Sequence, residues 1–146
     1  MFGIAKRRLL KNLESTYCRI QPAEGKGVGV FAVRDIPAGA DPFKGPKKRR
    51  WIKINIREAG HLDPAVRRIM EDFCIIQKNG DVHVHPDGFN GLHIRWFVNH
   101  SKEPNIATDD WALSFKTLRE IKAGEELLYD YGVCDREWRT PAAPPA

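Results

Sequence analysis

AGEELLYDYG, residues 123–132, holds two tyrosines two positions apart, Tyr129 and Tyr131, directly after the turn Lys122-Ala123-Gly124. Strands are expected on either side of that turn, over Trp111–Leu118 and Glu126–Tyr129. Residues two apart on a strand share a face, so both phenols point the same way. They are either half-buried rims of the core or the walls of a narrow slot. Upstream, Asn99-His100-Ser101-Lys102-Glu103-Pro104-Asn105 follows the apolar run Trp96-Phe97-Val98 and is dense in hydrogen-bonding side chains. On its own it reads as a polar turn capped by Asn99 or Ser101. Further upstream lies Gly25-Lys26-Gly27-Val28-Gly29. A dinucleotide-binding fingerprint needs a strand before such a run and a helix after it. Here the strand Val30–Val33 follows, so the run is a tight glycine turn whose backbone a ligand can approach closely.

The rest of the pattern is β-rich with one or two short helices. Residues 4–14 form a short basic helix with Ile4, Leu9, Leu10 and Leu13 as a partial apolar face. Residues 15–21 read as a strand, and Ile36-Pro37-Ala38-Gly39 as a turn. The clearest helix is 64–73, with Asp63 as N-cap, Pro64 at the first position, and Val66, Ile69, Met70 and Phe73 as one stripe. Cys74–Lys78 and Val82–His85 flank Asn79-Gly80-Asp81, the pattern of a hairpin. The fold class is a β-rich α+β domain of short strands.

Composition bounds the alternatives. The 146 residues carry 24 Lys+Arg against 19 Asp+Glu, a net charge of +5, and suit one domain with its own core. No 18-residue apolar run exists to span a membrane, and MFGIAKRRLLKNLES has no secretory pattern. A cytoplasmic protein is expected, or a nuclear one if the source is viral or eukaryotic. Cys18, Cys74 and Cys134 are too far apart for a disulfide framework or a cysteine-based zinc module. Residues 1–60 hold 14 basic against 5 acidic side chains, and residues 61–146 hold 10 against 14. The basic run Lys47-Lys48-Arg49-Arg50 reads as a solvated loop, since no nucleic-acid motif accompanies it.

In order along the chain, GxG (Gly27 to Gly29), NHSxxPN (Asn99 to Asn105) and GEELxYDYG (Gly124 to Gly132) together resemble the SET-domain lysine methyltransferases. The likeness is strongest to the small stand-alone proteins of viruses and bacteria and covers residues 15–133. AGEELLYDYG is also similar to the corresponding run of monomethyltransferases that act on histones. The resemblance implies a flank over 1–14, a SET domain over 15–133 with an insert at about 46–90, and a short flank over 134–146. It implies short curved sheets and a knot-like threading of the C-terminal segment under a loop beside NHS, against the usual unthreaded connection.

That threading would gather the motifs around S-adenosyl-L-methionine. By the resemblance, the backbone of Lys26, Gly27, Val28 and Gly29 holds its methionine part, and Asn99 and His100 hold its amino group and adenine. Tyr131 matches the catalytic tyrosine. Tyr129 matches the position where Tyr or Phe tunes the number of methyl groups, which implies mainly mono-methylation. The substrate is expected to be an extended, basic, lysine-containing peptide or protein, met by Asp109, Asp110, Glu120, Glu125, Glu126 and Asp130.

The chain also departs from the pattern. Phe43-Lys44-Gly45 stands where a Tyr-x-Gly element is common, Trp96 where relatives carry arginine, and Lys102 where many carry cysteine. No zinc module follows the last motif, so Trp138 is read either as a cover for the adenine or lysine channel or as a packing anchor. These departures leave a second reading, a catalytically weak SET-like module that binds a peptide or nucleic acid. A homodimer that completes the peptide groove stays open. His83, His85, His93 and His100 read as ordinary strand and turn histidines rather than metal ligands.

Overall fold

A computed structural model describes residues 3–44, 51–109 and 112–133. The order of elements is α1 (Ile4–Glu14), β1 (Cys18–Ala23), β2 (Gly27–Ala32), β3 (Ile52–Asn55), α2 (Pro64–Phe73), β4 (Asp81–Val84), β5 (Asn99–His100), β6 (Ile106–Ala107), β7 (Lys116–Thr117) and β8 (Leu128–Tyr129). Short 3-10 turns lie at Ile56–Ala59, Gly88–Gly91, Ile94–Phe97 and Tyr131–Val133. The basic run Lys47–Arg50, Asp110, Trp111 and the expected flank over 134–146, with Cys134 and Trp138, lie outside the described residues.

β1 and β2 form an antiparallel hairpin in which Cys18 opposes Ala32 and Ala23 opposes Gly27. Gly25 and Gly27 take φ of 70° and 78°, left-handed values that glycine adopts without a Cβ penalty. The turn therefore ends at Gly27, and Val28 and Gly29 belong to the strand rather than to a longer glycine loop. The other edge of β2 is covered by the C-terminal segment. Ala32 N–H donates to Glu125 O at 2.9 Å, and Leu127 N–H donates to Val30 O at 2.8 Å.

β8 then pairs with β5, in parallel, with Asn99 beside Leu128 and His100 beside Tyr129. Parallel neighbours need a crossover, and residues 101–127 supply it. The loop after β5 closes back over β8. Ser101 N–H donates to Tyr129 O and Asn105 N–H to Leu128 O, both at 3.0 Å. The Asn105 side chain donates to Glu126 O and accepts from Leu128 N–H, both at 2.8 Å. Residues 124–129 are thus held between β2 and the 99–105 loop.

Two apolar clusters support this frame. Val30, Ile36, Val98, Ile106, Ile121 and Leu127 fill the first, beneath the hairpin and the threaded segment. Ala59, Met70, Cys74, Ile76 and Val82 fill the second, under the insert.

Several expected elements shift. β1 starts at Cys18 rather than at residue 15, because residues 14–16 leave α1 and tie to Arg34, which donates to Glu14 O and Thr16 O. Cys74–Lys78 is not a strand. Cys74 N–H still serves as the last donor of α2, to Met70 O, and β4 pairs with β3 instead. The long strand over Trp111–Leu118 shortens to β7. Ala112 takes φ of 62° and its N–H is captured by Thr108 Oγ1, which turns the chain. The strand over Glu126–Tyr129 shortens to β8, since Glu126 bridges to Phe31 of β2 before β5 takes over. α2 is capped by Asp63, which accepts from Ala65 N–H, but of its stripe only Met70 is buried. α1 forms with none of its residues buried. Among the described residues no helix is long and apolar enough to cross a membrane.

Candidate active site

Asn99 enters β5 directly after buried Val98, which fixes where its short side chain can reach. Its Nδ2 donates to Val28 O and to Glu126 Oε2, each at 2.9 Å. The other Glu126 oxygen pairs with Lys26 Nζ at 3.2 Å. Gly29 lies under this contact. A Cβ there would sit 2.7 Å from Glu126 Oε2 and 3.0 Å from Asn99 Nδ2. The third glycine of the run is therefore required by a close approach, whereas Gly25 and Gly27 are required by the turn. The first and second motifs meet in this contact.

The second and third motifs meet one residue on. Tyr131 N–H donates to His100 Nδ1 at 3.0 Å. With Nδ1 an acceptor, a neutral His100 carries its proton on Nε2. Asp130 Oδ1 stands 3.7 Å from the same Nδ1 and 3.4 Å from Lys102 Nζ. The Gly132 N–H, then Lys102 and His100, hold the Asp130 carboxyl below the usual range.

Tyr131 opens a 3-10 turn rather than continuing the strand, yet its ring stays 4.6 Å from that of Tyr129 and 5.1 Å from that of His100. Its hydroxyl donates to Val98 O at 2.6 Å. Burial, aided by the Glu126 charge, pushes this phenol up to about 12. Tyr129 is buried and meets Phe115 edge-on at 5.1 Å, and Phe115 meets Phe43 at 5.7 Å. Phe43 is thus one member of an apolar wall that runs on to Tyr129 and Tyr131.

Lys26, Gly27, Val28, Gly29, Asn99, His100, Tyr129 and Tyr131 come together in this way, from three motifs far apart along the chain. Of the acidic residues expected to meet a substrate, Glu120 pairs with Lys122 and Glu125 with Arg119. Glu126 is engaged by Lys26 and Asn99. Much of that field is therefore spent inside the chain. Glu126 and Asn105 carry structural parts that the motifs alone did not assign to them. The only hint is that a polar side chain next to an apolar strand must find a partner when buried.

Among the described residues no three of His, Cys, Asp and Glu cluster at metal-ligand spacing. His85 packs on Trp51, and His93 accepts from Arg95 N–H.

Residues 27–132 match the SET domain. The chain belongs to the SET-domain family. It is 32% identical over 136 residues to the variant-silencing SET domain-containing protein of Plasmodium falciparum, a match that covers 86% of this chain and 5% of that protein. It is 44% identical over 61 residues to the histone-lysine N-methyltransferase Su(var)3-9 of Drosophila melanogaster, covering 35% of this chain and 10% of that one. The chain thus spans no more than a tenth of either relative. The crystal structure of the Chaetomium thermophilum polycomb repressive complex 2 superposes with a TM-score of 0.58 at 21% identity, over 90% of this chain and 16% of that one. An autoinhibited form of that complex bound to S-adenosylmethionine gives 0.53 at 22% identity, over 80% and 15%. These two share the SET fold with this chain.

The polar groups left over suit an amino-acid cofactor. Among the described residues Asn99 Oδ1 and His100 Nε2 have no hydrogen-bond partner, an acceptor and a donor on adjacent residues. A Cβ at Gly27 would meet nothing within 4 Å, so the backbone there is open to close approach.

Proposed function

We propose that this SET domain catalyses S-adenosylmethionine-dependent methyl transfer to the side-chain amine of a protein lysine, mainly to the mono-methylated product. The observation that supports this most is the β5–β8 pairing, which sets Asn99 and His100 beside Tyr129 and Tyr131. The methyltransferase named among its relatives agrees with it.

Asn99, His100 and the open backbone of Lys26–Gly29 would hold the cofactor. Bound S-adenosylmethionine supplies an electrophilic methyl group. The protein's task is then to present a neutral amine in line. A lysine ammonium of pKa near 10.4 costs about 4.6 kcal/mol to deprotonate at pH 7. The aromatic wall of Phe43, Phe115 and Tyr129 lowers that cost by withholding water from the charged form. Tyr131 stays protonated and its O–H donates a hydrogen bond to Val98 O, so its oxygen offers lone pairs. Those lone pairs accept an N–H of the amine or polarise the methyl hydrogens, and orientation supplies most of the acceleration. The Tyr129 hydroxyl occupies room that an already methylated amine would need.

The substrate on this reading is an extended peptide with a lysine in a basic context. The test is transfer of radiolabel from S-adenosylmethionine to histones, ribosomal proteins and lysate, followed by mass spectrometry. Label on lysine, mainly one methyl per residue, is expected. Cofactor binding by calorimetry without transfer to any of these would favour the binding-module reading. An absence of cofactor binding would overturn the proposal outright.

A further inference from the structure

The Asn99 amide has two N–H donors, and both are used, on Val28 O and Glu126 Oε2 at 2.9 Å each. The reverse orientation would set the amide oxygen against two oxygens. Among the described residues the one unused group on this side chain is therefore the acceptor Oδ1. A ligand recognised there must bring a donor, which suits a primary ammonium and not a carboxylate. Val28 O and Glu126 Oε2 are both acceptor-only, so both oppose the turned amide, and Glu126 is the one that also brings a negative charge. Lys26 holds the other carboxylate oxygen at 3.2 Å, which keeps Oε2 aimed at Asn99. Gly29 gives the carboxylate the space to come so close.

We infer that Glu126 is the positioning residue that locks Asn99 as an acceptor and so selects the α-ammonium of the cofactor. It does not touch the reacting atoms, and its negative charge one hydrogen bond away also favours a cation at Oδ1. The inference rests on the cofactor reading above. It adds that discrimination for the amino group is set from the third motif, through the second.

The experiment is calorimetric titration of S-adenosylhomocysteine and of its analogue without the α-amino group, into the wild-type chain and three variants. In the wild type, loss of the amino group is expected to weaken binding about thirtyfold, the worth of a charge-assisted bond. In Glu126→Ala one of the two acceptors that oppose the turned amide is gone, together with its negative charge, and the ratio falls below about fivefold. Glu126→Gln keeps one acceptor oxygen but not the charge, and its ratio falls between those of the wild type and Glu126→Ala. Gly29→Ala leaves Glu126 in place chemically but pushes its carboxylate off Asn99, and reproduces the alanine result.

Melting curves establish that each variant is folded, and should Glu126→Ala fail to fold, the Gly29→Ala and Glu126→Gln pair decides. Equal weakening toward both ligands, with the ratio kept, would show a merely structural role and overturn the inference. No binding of S-adenosylhomocysteine to the wild type would overturn the cofactor reading itself, which is a different result.

Discussion

Asn105→Ala strikes the hydrogen bonds that hold the threaded segment. Asn105 is 5% exposed, and its side chain spans Glu126 O and Leu128 N–H at 2.8 Å each. Alanine leaves one carbonyl and one N–H without those partners in a buried place. Each orphaned group costs about 1–3 kcal/mol, so a loss of roughly 3–4 kcal/mol is expected. That is a large share of the ~5–15 kcal/mol that holds a domain together, and it lowers the melting temperature by about 10 °C. Urea unfolding followed by tryptophan fluorescence measures it, with Asn12→Ala on exposed α1 as the control, expected within about 0.5 kcal/mol of wild type. A loss for Asn105→Ala below about 1 kcal/mol would mean that the segment is not pinned by this side chain, and the account of the threading would be wrong.

Tyr131→Phe should cut methyl transfer about a hundredfold while S-adenosylhomocysteine still binds, since orientation is lost and the pocket is kept; full activity would remove Tyr131 from its role. Tyr129→Phe should shift the product toward di-methyl lysine in mass spectra, and an unchanged product would refute the space argument. Alkali should titrate Tyr131 late. Its folded pKa is raised to about 12 by burial and then by Glu126, so the unfolded chain ionises first. The stabilisation is complete below pH 10 and is lost as pH rises from there to about 12, a swing of roughly 2–3 kcal/mol. Unfolding free energies of wild type and Tyr131→Phe at pH 9 and pH 11.5 check it. The difference between the two proteins should shrink at the higher pH. Cys18 and Cys74, also pushed up to about 12 by burial, affect both proteins alike.

Local rules carried the linear reading far. Asp63 and Pro64 announce α2, Gly25 and Gly27 announce the β1–β2 turn, and each signal involves only residues that are neighbours along the chain. The three motifs could likewise be recognised from residue order alone. The partnerships could not. β5 to β8 are two residues long, too short for any period to show, and β4 chose β3 over the apolar segment next to it in the chain.

The Asn99–Glu126 contact, the Asn105 clasp and the Tyr131–Val98 bond join residues 21 to 33 positions apart. Their geometry follows from where the two apolar clusters place the backbone, and from the space left by one missing Cβ at Gly29. Residue types and turns were written in the linear order, because caps and left-handed glycines need only adjacent atoms. Which polar groups meet across the fold depended on packing, because a buried donor is satisfied by whatever acceptor the closed core brings within reach.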